Sequence, residues 1–530
     1  MNNDTIKSGD DMNSNETRAS RGRRKSKTAM WLGMAGLCAA GAAVIPVSGT
    51  THANTPTTNE EGMVCTTDAT ATGPVFDLTA TDGYSSEPDG NAIYGWGFTA
   101  PAAGVPASFQ LPGPVLCVTQ GQTVTVNLQN NLRVATSIQF PGQEGVTSGG
   151  LPVGPVASPT GDLLSLVPEA LPGSSVSYSF TATNAGTYVY ESGSDPQLQV
   201  QMGLFGAIVV RPAVAKLTPA DILAIPADGP TGVTTNEARG TTADDLTAGA
   251  PGQTILDKAA CAYATPTPNS TTCDPLAIYD GTRENILMLS EVDPGLHSFM
   301  EQHKADVDTS ILSWNGYPGA YEAHYFMING RSMPDTLAPN NAPWLPGQPY
   351  GAMAHVQPWD PHTNPLDVLL RYVAVGVTGY DFHPHSNHEH VIATDGALMK
   401  GTGDDTEEKF NILVNPGSTV DATFRWTNEE GYSDTDGKRV PVTWPQSLNL
   451  HEGDFWSGSP YLGESGKLNP GILTKTQCGE YYHVAHSHDL TQATNYGITF
   501  GGMLTLIKVE PPSNVQGTQQ GDVSVPVCNG

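Results

Sequence analysis

Val115-Leu116-Cys117-Val118, the turn Gln120-Gly121-Gln122, and Thr123-Val124-Thr125-Val126-Asn127-Leu128 decide the fold class: two strand-like runs about a glycine turn. The pattern recurs outward from here. Ser175 to Phe180, Gly186-Thr187-Tyr188-Val189-Tyr190 and Gly206-Ala207-Ile208-Val209-Val210 read the same way. Further along come Glu284 to Leu289, Val368 to Val375, His390 to Thr394, Phe410 to Val414 and Met503 to Val509. Short apolar runs separated by Gly, Pro, Asn and Asp predict an all-β protein, a sandwich or small barrel in each half, with no long amphipathic helix. The expected organisation is a β domain at 54–213, a loop-rich connector at 214–282, a second β domain with long insertions at 283–512, and a polar tail at 513–530.

Composition bounds the function. The 530 residues hold 24 Lys plus Arg against 53 Asp plus Glu, a formal charge of −29. Phosphate backbones would repel such a chain, so nucleic acid is excluded as a partner. Gly (58) and Pro (42) are abundant, but the 38% apolar fraction supports ordinary cores.

Residues 1–53 read as an export signal rather than as fold. A polar start ends in Arg18, Arg21, Arg23, Arg24, Lys25 and Lys27, an apolar stretch runs from Ala29 to Val47, and Thr51-His52-Ala53 offers a cleavage site. The alternative is an uncleaved membrane anchor, against which the small-residue content of the stretch argues. Arg23-Arg24 points to twin-arginine export. The expected location is secreted, periplasmic or extracellular, with no membrane segment after cleavage. Six cysteines then remain, Cys65, Cys117, Cys261, Cys273, Cys478 and Cys528. An even count in an exported chain reads as disulfides, and fifteen pairings exist. The expected set is Cys261–Cys273 as a local clip, with Cys65–Cys117 and Cys478–Cys528 tying down domain ends.

Histidine carries the chemical signal. Of 14 histidines, all but His52 lie between His297 and His488. The dense groups are His383-Pro384-His385-Ser386-Asn387-His388-Glu389-His390 and His483-Val484-Ala485-His486-Ser487-His488. A His-x-His pair on a strand points both rings to one face, so two such strands side by side present four nitrogens around one point. Imidazole suits copper, zinc, iron or nickel. The plainer alternative is a hydrogen-bonded polar patch. Two pairs in one exported domain favour a metal. His388, His390 and His483 are further ligand or supporting candidates. His483 should face the other side of its strand unless a bulge intervenes. No phosphate-binding loop, nucleophile elbow or distinct carboxylate pair offers a competing chemistry.

At these residues the chain resembles the multicopper oxidase family, built from cupredoxin (plastocyanin-like) domains. The resemblance rests on Gly186-Thr187-Tyr188-Val189-Tyr190-Glu191-Ser192 with Gly203 to Val210, on Tyr325-Phe326-Met327-Ile328-Asn329-Gly330-Arg331, on His383-Pro384-His385 with Val391 to Gly396, and on His486-Ser487-His488 with Gly502-Met503. It implies two cupredoxin-like Greek-key β-sandwiches and a divergent two-domain member.

The departures shape what the resemblance implies. The family holds a three-copper cluster on four His-x-His motifs and a type 1 copper on a Cys flanked by His. Here the last-domain pairs His383/His385 and His486/His488 stand. Ile138-Gln139-Phe140-Pro141-Gly142 and Tyr190-Glu191-Ser192-Gly193 replace the first-domain pairs. Ser487 stands for the type 1 Cys, Tyr380 and Gln492 for its two His, and Met503 is kept. Without a thiolate there is no blue-copper site. The implied protein is a copper-binding oxidoreductase with a mono- or dinuclear site, fewer ions than a full multicopper oxidase, and Gln139 and Glu191 as oxygen ligands. Dioxygen or peroxide and a small-molecule reductant are its expected reactants, and a homo-oligomer, a trimer in two-domain relatives, its expected assembly. The alternatives are a non-enzymatic copper-buffering protein and a structural module with a decayed site.

Overall fold

The computed structural model describes residues 61–68, 73–101, 105–227, 234–304, 314, 319–385, 387–401, 403–433, 481–499 and 501–510, with short strand segments at 55–56, 438–440, 455–456, 466–467, 519–520 and 523–524. The leader at 1–53, Cys478 and Cys528 lie outside the described residues.

Seven strands build the first half: β1 (Val75–Ser86), β2 (Ala92–Thr99), β3 (Val115–Thr119), β4 (Thr123–Asn130), β5 (Ser175–Thr181), β6 (Gly186–Glu191) and β7 (Phe205–Arg211). They form two sheets, ordered β2-β1-β4-β5 and β3-β7-β6, with short edge strands added. β3 and β4 adjoin in sequence but belong to different sheets. The turn at Gly121, with φ at +87°, carries the chain across, a conformation glycine adopts without a side-chain clash. On β4 the pattern is period two: Val124, Val126 and Leu128 are buried, while Thr123 faces out. These apolar residues meet Phe76, Leu116, Tyr178 and Ile208 in the first core.

The second half holds β8 (Ile278–Val292), β9 (Tyr325–Ile328), β10 (Ala354–Val356), β11 (Asp367–Ala374), β12 (Tyr380–Pro384), β13 (Glu389–Thr394), β14 (Glu407–Lys409), β15 (Ile412–Val414), β16 (Thr419–Phe424), β17 (Tyr481–Ser487) and β18 (Leu504–Val509). One sheet runs β8-β11-β16-β13, with β9 on β8 and β14 on β13; the other runs β10-β18-β17-β12-β15. Leu289, Tyr372, Phe382, Ala485 and Ile507 pack between them. The protein is thus all-β, two Greek-key cupredoxin-like sandwiches joined by a loop-rich connector. β8 starts at Ile278, ahead of the expected boundary at residue 283.

The connector is more ordered than its weak periodicity suggests. Its helices α1 (Pro219–Leu223), α2 (Ala243–Thr247) and α3 (Ile255–Lys258) are one turn each. Thr242 with Asp245, and Thr254 with Asp257, close capping boxes that satisfy the orphaned first-turn amides. The Thr- and Asp-rich composition is therefore partly capping chemistry. Cys261–Cys273 clips this region, and Cys65–Cys117 ties the incoming chain to β3. Loops of this length make each bridge worth about 3–4 kcal/mol by the chain-entropy argument.

A third apolar cluster joins the halves. Val115, Val189, Phe205 and Val209 pack on Met288, Val292, Tyr325 and Val373. β7 and β8 are hence buried on both faces, which explains their continuous apolar runs. Beside this cluster lies a buried charge network. Arg371 donates to Glu284 (2.7 Å), Asp421 (2.8 Å) and the Thr187 hydroxyl (2.8 Å). Arg211 donates to Glu284 at 2.6 Å, and Thr187 and Tyr263 donate to Asp421. First sandwich, connector and second sandwich therefore meet at Asp421, which accepts from Thr187, Tyr263 and Arg371.

Candidate metal centre

The two His-x-His segments lie on neighbouring antiparallel strands, and the register sets His383 directly opposite His486. Tyr380 and Phe382 on β12, and His483, Ala485 and Ser487 on β17, point into the core and are buried. Alternation then puts His383, His385 and His486 on the opposite face. His488 follows just past the end of β17, its backbone N–H donating to the Asp381 carbonyl at 2.6 Å.

Four rings converge there. Centroids are 4.6 Å apart for His383 and His385, 5.0 Å for His385 and His486, 5.0 Å for His383 and His488, and 5.8 Å for His486 and His488. His385 Nε2 lies 2.9 Å from His486 Nε2. The His383 Nδ1 donates to the Phe410 carbonyl at 2.5 Å, and the His486 Nδ1 donates to the Ser487 carbonyl at 2.7 Å. A carbonyl only accepts, so both Nδ1 atoms hold the proton and both Nε2 atoms keep a lone pair. That is the arrangement ligating histidines use, with the far nitrogen anchored to a backbone oxygen.

Burial favours the neutral form of His383, His385 and His486. Desolvation, then the neighbouring imidazoles, pushes His385 down to about 3. His383 and His486 are lowered chiefly by desolvation, against the pull of their carbonyl partners. One nitrogen pair, His385 Nε2 and His486 Nε2, is at ligand range, while the His383 and His488 rings stand with centroids within 5.8 Å but do not bring a third nitrogen within 4.8 Å of both. Protonating two of His383, His385 and His486 would place positive charges side by side.

The other expected residues fall elsewhere. Gln139 and Glu191 bond to each other, backbone to backbone at 2.8 and 3.2 Å and Nε2 to Oε1 at 2.9 Å. The pair makes no contact with the four histidines among the described residues, so one chain does not bring these oxygens to the rings. Burial raises the Glu191 carboxyl, with Gln139 opposing. His388 and His390 line a separate cleft with Glu408 and Arg425, between connector and second sandwich. His388 also touches the Phe410 ring, centroids 5.8 Å apart. His483 faces inward with no bulge in its ladder, its ring 4.1 Å from that of Trp426.

The position expected to lack a thiolate is closed by hydrogen bonds. Ser487 Oγ donates to Gln492 Oε1 at 2.6 Å, and Gln492 Nε2 donates to the Gly379 carbonyl at 3.1 Å. The Tyr380 hydroxyl donates to Glu291, and Met503 is fully buried beside them in the second core. Three polar replacements are thus each satisfied by a neighbour, and none offers a nitrogen or sulfur donor to a cation.

Sequence reasoning missed the two carbonyl anchors, at Phe410 and Ser487, because a backbone atom leaves no trace in residue type. The neighbouring Pro358-Trp359 marks His355 as a loop residue, but His355 lies on β10, and its donor atom is within 4.8 Å of those of Glu61 and Glu510, which the sequence reading does not single out. His355 Nδ1 meets Glu61 at 3.0 Å and Glu510 at 3.3 Å. Lys508 and Arg283 already sit against Glu510, so this is an ion-pair cluster whose charge is balanced without a metal.

Residues 102–214 match the family model described as multicopper oxidase. No curated protein matches the sequence. Among solved structures, the multicopper oxidase mgLAC is 18% identical, covering 85% of this chain and 89% of its own, with a TM-score of 0.45. The blue copper oxidase from Nitrosomonas europaea is 17% identical, covering 84% and 88%, with a TM-score of 0.44. The copper nitrite reductase from Nitrosomonas europaea is 15% identical, covering 85% and 95%, with a TM-score of 0.39. Through residues 102–214, and with both His-x-His segments of its second half on one face, this chain resembles the multicopper oxidases as a divergent relative.

Proposed function

We propose that the protein is an exported copper-binding oxidoreductase whose centre rests on His383, His385, His486 and His488 and holds fewer ions than a full multicopper oxidase. The observation that carries this is the convergence of the four rings, with the Nδ1–H groups of His383 and His486 anchored on carbonyls and His486 Nε2 set 2.9 Å from His385 Nε2. Copper bound there would supply one-electron redox chemistry toward dioxygen or peroxide at the expense of a small reductant. The protein's own part is orientation and exclusion. β12 and β17 fix ring spacing, the Phe410 and Ser487 carbonyls fix the tautomers, and burial of His383 and His385 keeps protons from competing. His488 is the exposed ring, so it marks the side from which a reactant approaches. A homo-oligomer belongs to the same reading: Gln139 and Glu191 bond to each other, so they would serve as ligands only to the histidines of another copy.

A second reading, copper binding without turnover, is favoured by the Ser487–Gln492 bond. It fills the place of an electron-accepting thiolate with a neutral pair. Copper loading followed by peroxide- or dioxygen-dependent oxidation of phenolic or metal-ion reductants separates the two. Turnover abolished in His486→Ala supports the oxidoreductase, while stoichiometric copper uptake with no turnover supports the binding protein.

A further inference from the structure

A second cleft lies on the first sandwich, away from the histidines. It occupies about 320 Å³ between β2, the loop after β4, and the C-terminal end of α4 (Pro294–Gln302), at the edge of the first core. Its floor is aromatic: Tyr94 and Trp96 come from alternate positions of β2. Leu132, Val134 and Met300 make the apolar wall.

The charge of this cleft runs against the rest of the chain. Arg133 and Lys304 both line it, and among the described residues neither has an ion-pair partner. The Lys304 ammonium stands 5.6 Å from the Tyr94 ring centroid, held by the ring face instead of a carboxylate. One carboxylate is present, Asp82, and it already accepts the Tyr94 hydroxyl at 3.1 Å; that hydroxyl in turn accepts from Trp96 Nε1 at 3.1 Å. His303 points its Nδ1–H back to the Phe299 carbonyl at 2.8 Å. On a protein with 53 acidic and 24 basic residues, two cations that face one aromatic-floored space without an ion-pair partner among the described residues are a distinctive arrangement.

We propose that this cleft binds a small organic anion, a carboxylate on a compact apolar or aromatic body, with Arg133 and Lys304 receiving the carboxylate. Its size is at the small end of the range of ligand pockets, roughly 300–1,000 Å³, which suits a single-ring molecule. A neutral ligand would leave both cations without a counter-charge. A cationic one would be repelled, since Arg133 and Lys304 outweigh the single carboxylate of Asp82. The acidic remainder of the surface keeps larger polyanions away, which restricts the site to small ligands. The cleft shares no residue with the histidine cluster, so it stands or falls separately from the metal reading.

Calorimetric titration of the purified full chain with benzoate, benzyl alcohol and benzylammonium tests this. Benzoate should bind saturably, about tenfold or more tighter than benzyl alcohol, with benzylammonium weakest, and the preference should shrink as salt rises. Arg133→Gln with Lys304→Gln changes two exposed side chains, so the fold survives, and should cost benzoate about tenfold while leaving benzyl alcohol unchanged. Val134→Trp, which fills the space, should abolish both. Equal affinity for benzoate and benzyl alcohol, benzoate binding unaltered by the double substitution, or no benzoate uptake at millimolar concentration would overturn the proposal.

Discussion

His385 Nε2 lies 2.9 Å from His486 Nε2, across two strands whose histidines are about a hundred residues apart in sequence. Since the His486 Nδ1 carries its proton, this contact is held by a proton on His385 or by a cation between two lone pairs. Removing either ring removes a donor that the strand register supplies nowhere else. His385→Ala and His486→Ala should each weaken copper binding by at least about tenfold to a hundredfold, read by competitive chelator titration. Metal-free stability should change far less than copper-loaded stability, because the loaded protein alone gains from binding to the folded state. Thermal unfolding with and without copper checks this.

The Ser487–Gln492 hydrogen bond predicts how the closed position responds to substitution. Ser487→Ala strips the donor from a buried amide oxygen and should cost about 1–3 kcal/mol in denaturant unfolding. Ser487→Cys restores a sulfur but not the two nitrogens, since Tyr380 and Gln492 remain. The copper-loaded variant should therefore stay without an intense thiolate-to-copper absorption band. A strong visible band in that variant alone would show that other ligands are within reach.

Arg371 is a vulnerable point of the fold because its charge is almost wholly buried. It is buried with Glu284 and Asp421 and touches Thr187 of the first sandwich. Coulomb attraction to these carboxylates outweighs its burial and raises its pKa, while it and Arg211 hold Glu284 below the usual carboxylate range against desolvation. Arg371→Met should cost about 3–5 kcal/mol, because buried Asp421 loses its counter-charge and Glu284 is left with Arg211 alone. Adding Glu284→Gln and Asp421→Asn should recover part of that loss, and a triple variant no more stable than the single one would contradict the network.

The cluster at His355 predicts a bounded pH window. Burial raises Glu510, but His355, Lys508 and Arg283 overcome it and hold the carboxyl at about 2. A lowered carboxyl contributes stability above its unfolded value near 4.5 and loses it as pH falls toward 2. Burial lowers His355, while Glu510 and Glu61 more than offset this and raise it. A raised histidine contributes below its unfolded value near 6.5 and loses that as pH rises through the folded value. The cluster should therefore contribute most between about pH 4.5 and 6.5. His355→Gln should lower stability most near pH 5.5 and least near pH 9, measured by urea unfolding across that range.

Strand periodicity made both sandwiches legible, because alternation on β4 and on β12 and β17 is local. The same rule placed the four histidines, since residue parity along a strand determines the face. It could not reveal that β3 and β4 part into different sheets, a decision taken by Gly121 and the tertiary core. It could not place Gln139 and Glu191 either, because their distance from the histidines depends on how two sandwiches dock. The connector looked irregular because its one-turn helices are too short to show a period, and Thr242 with Asp245 would have marked one of them. The carbonyls of Phe410 and Ser487 were beyond reach, as any residue supplies one.

The central claim is that four imidazoles share a cation. Electron paramagnetic resonance on the copper-loaded protein, paired with elemental analysis, tests it most directly. The account predicts fewer than four coppers per chain and a spectrum with nitrogen hyperfine splitting that is lost in His383→Ala with His486→Ala. Copper held with undiminished stoichiometry and unchanged splitting in that double variant, or no copper retained by the unsubstituted protein, would contradict it.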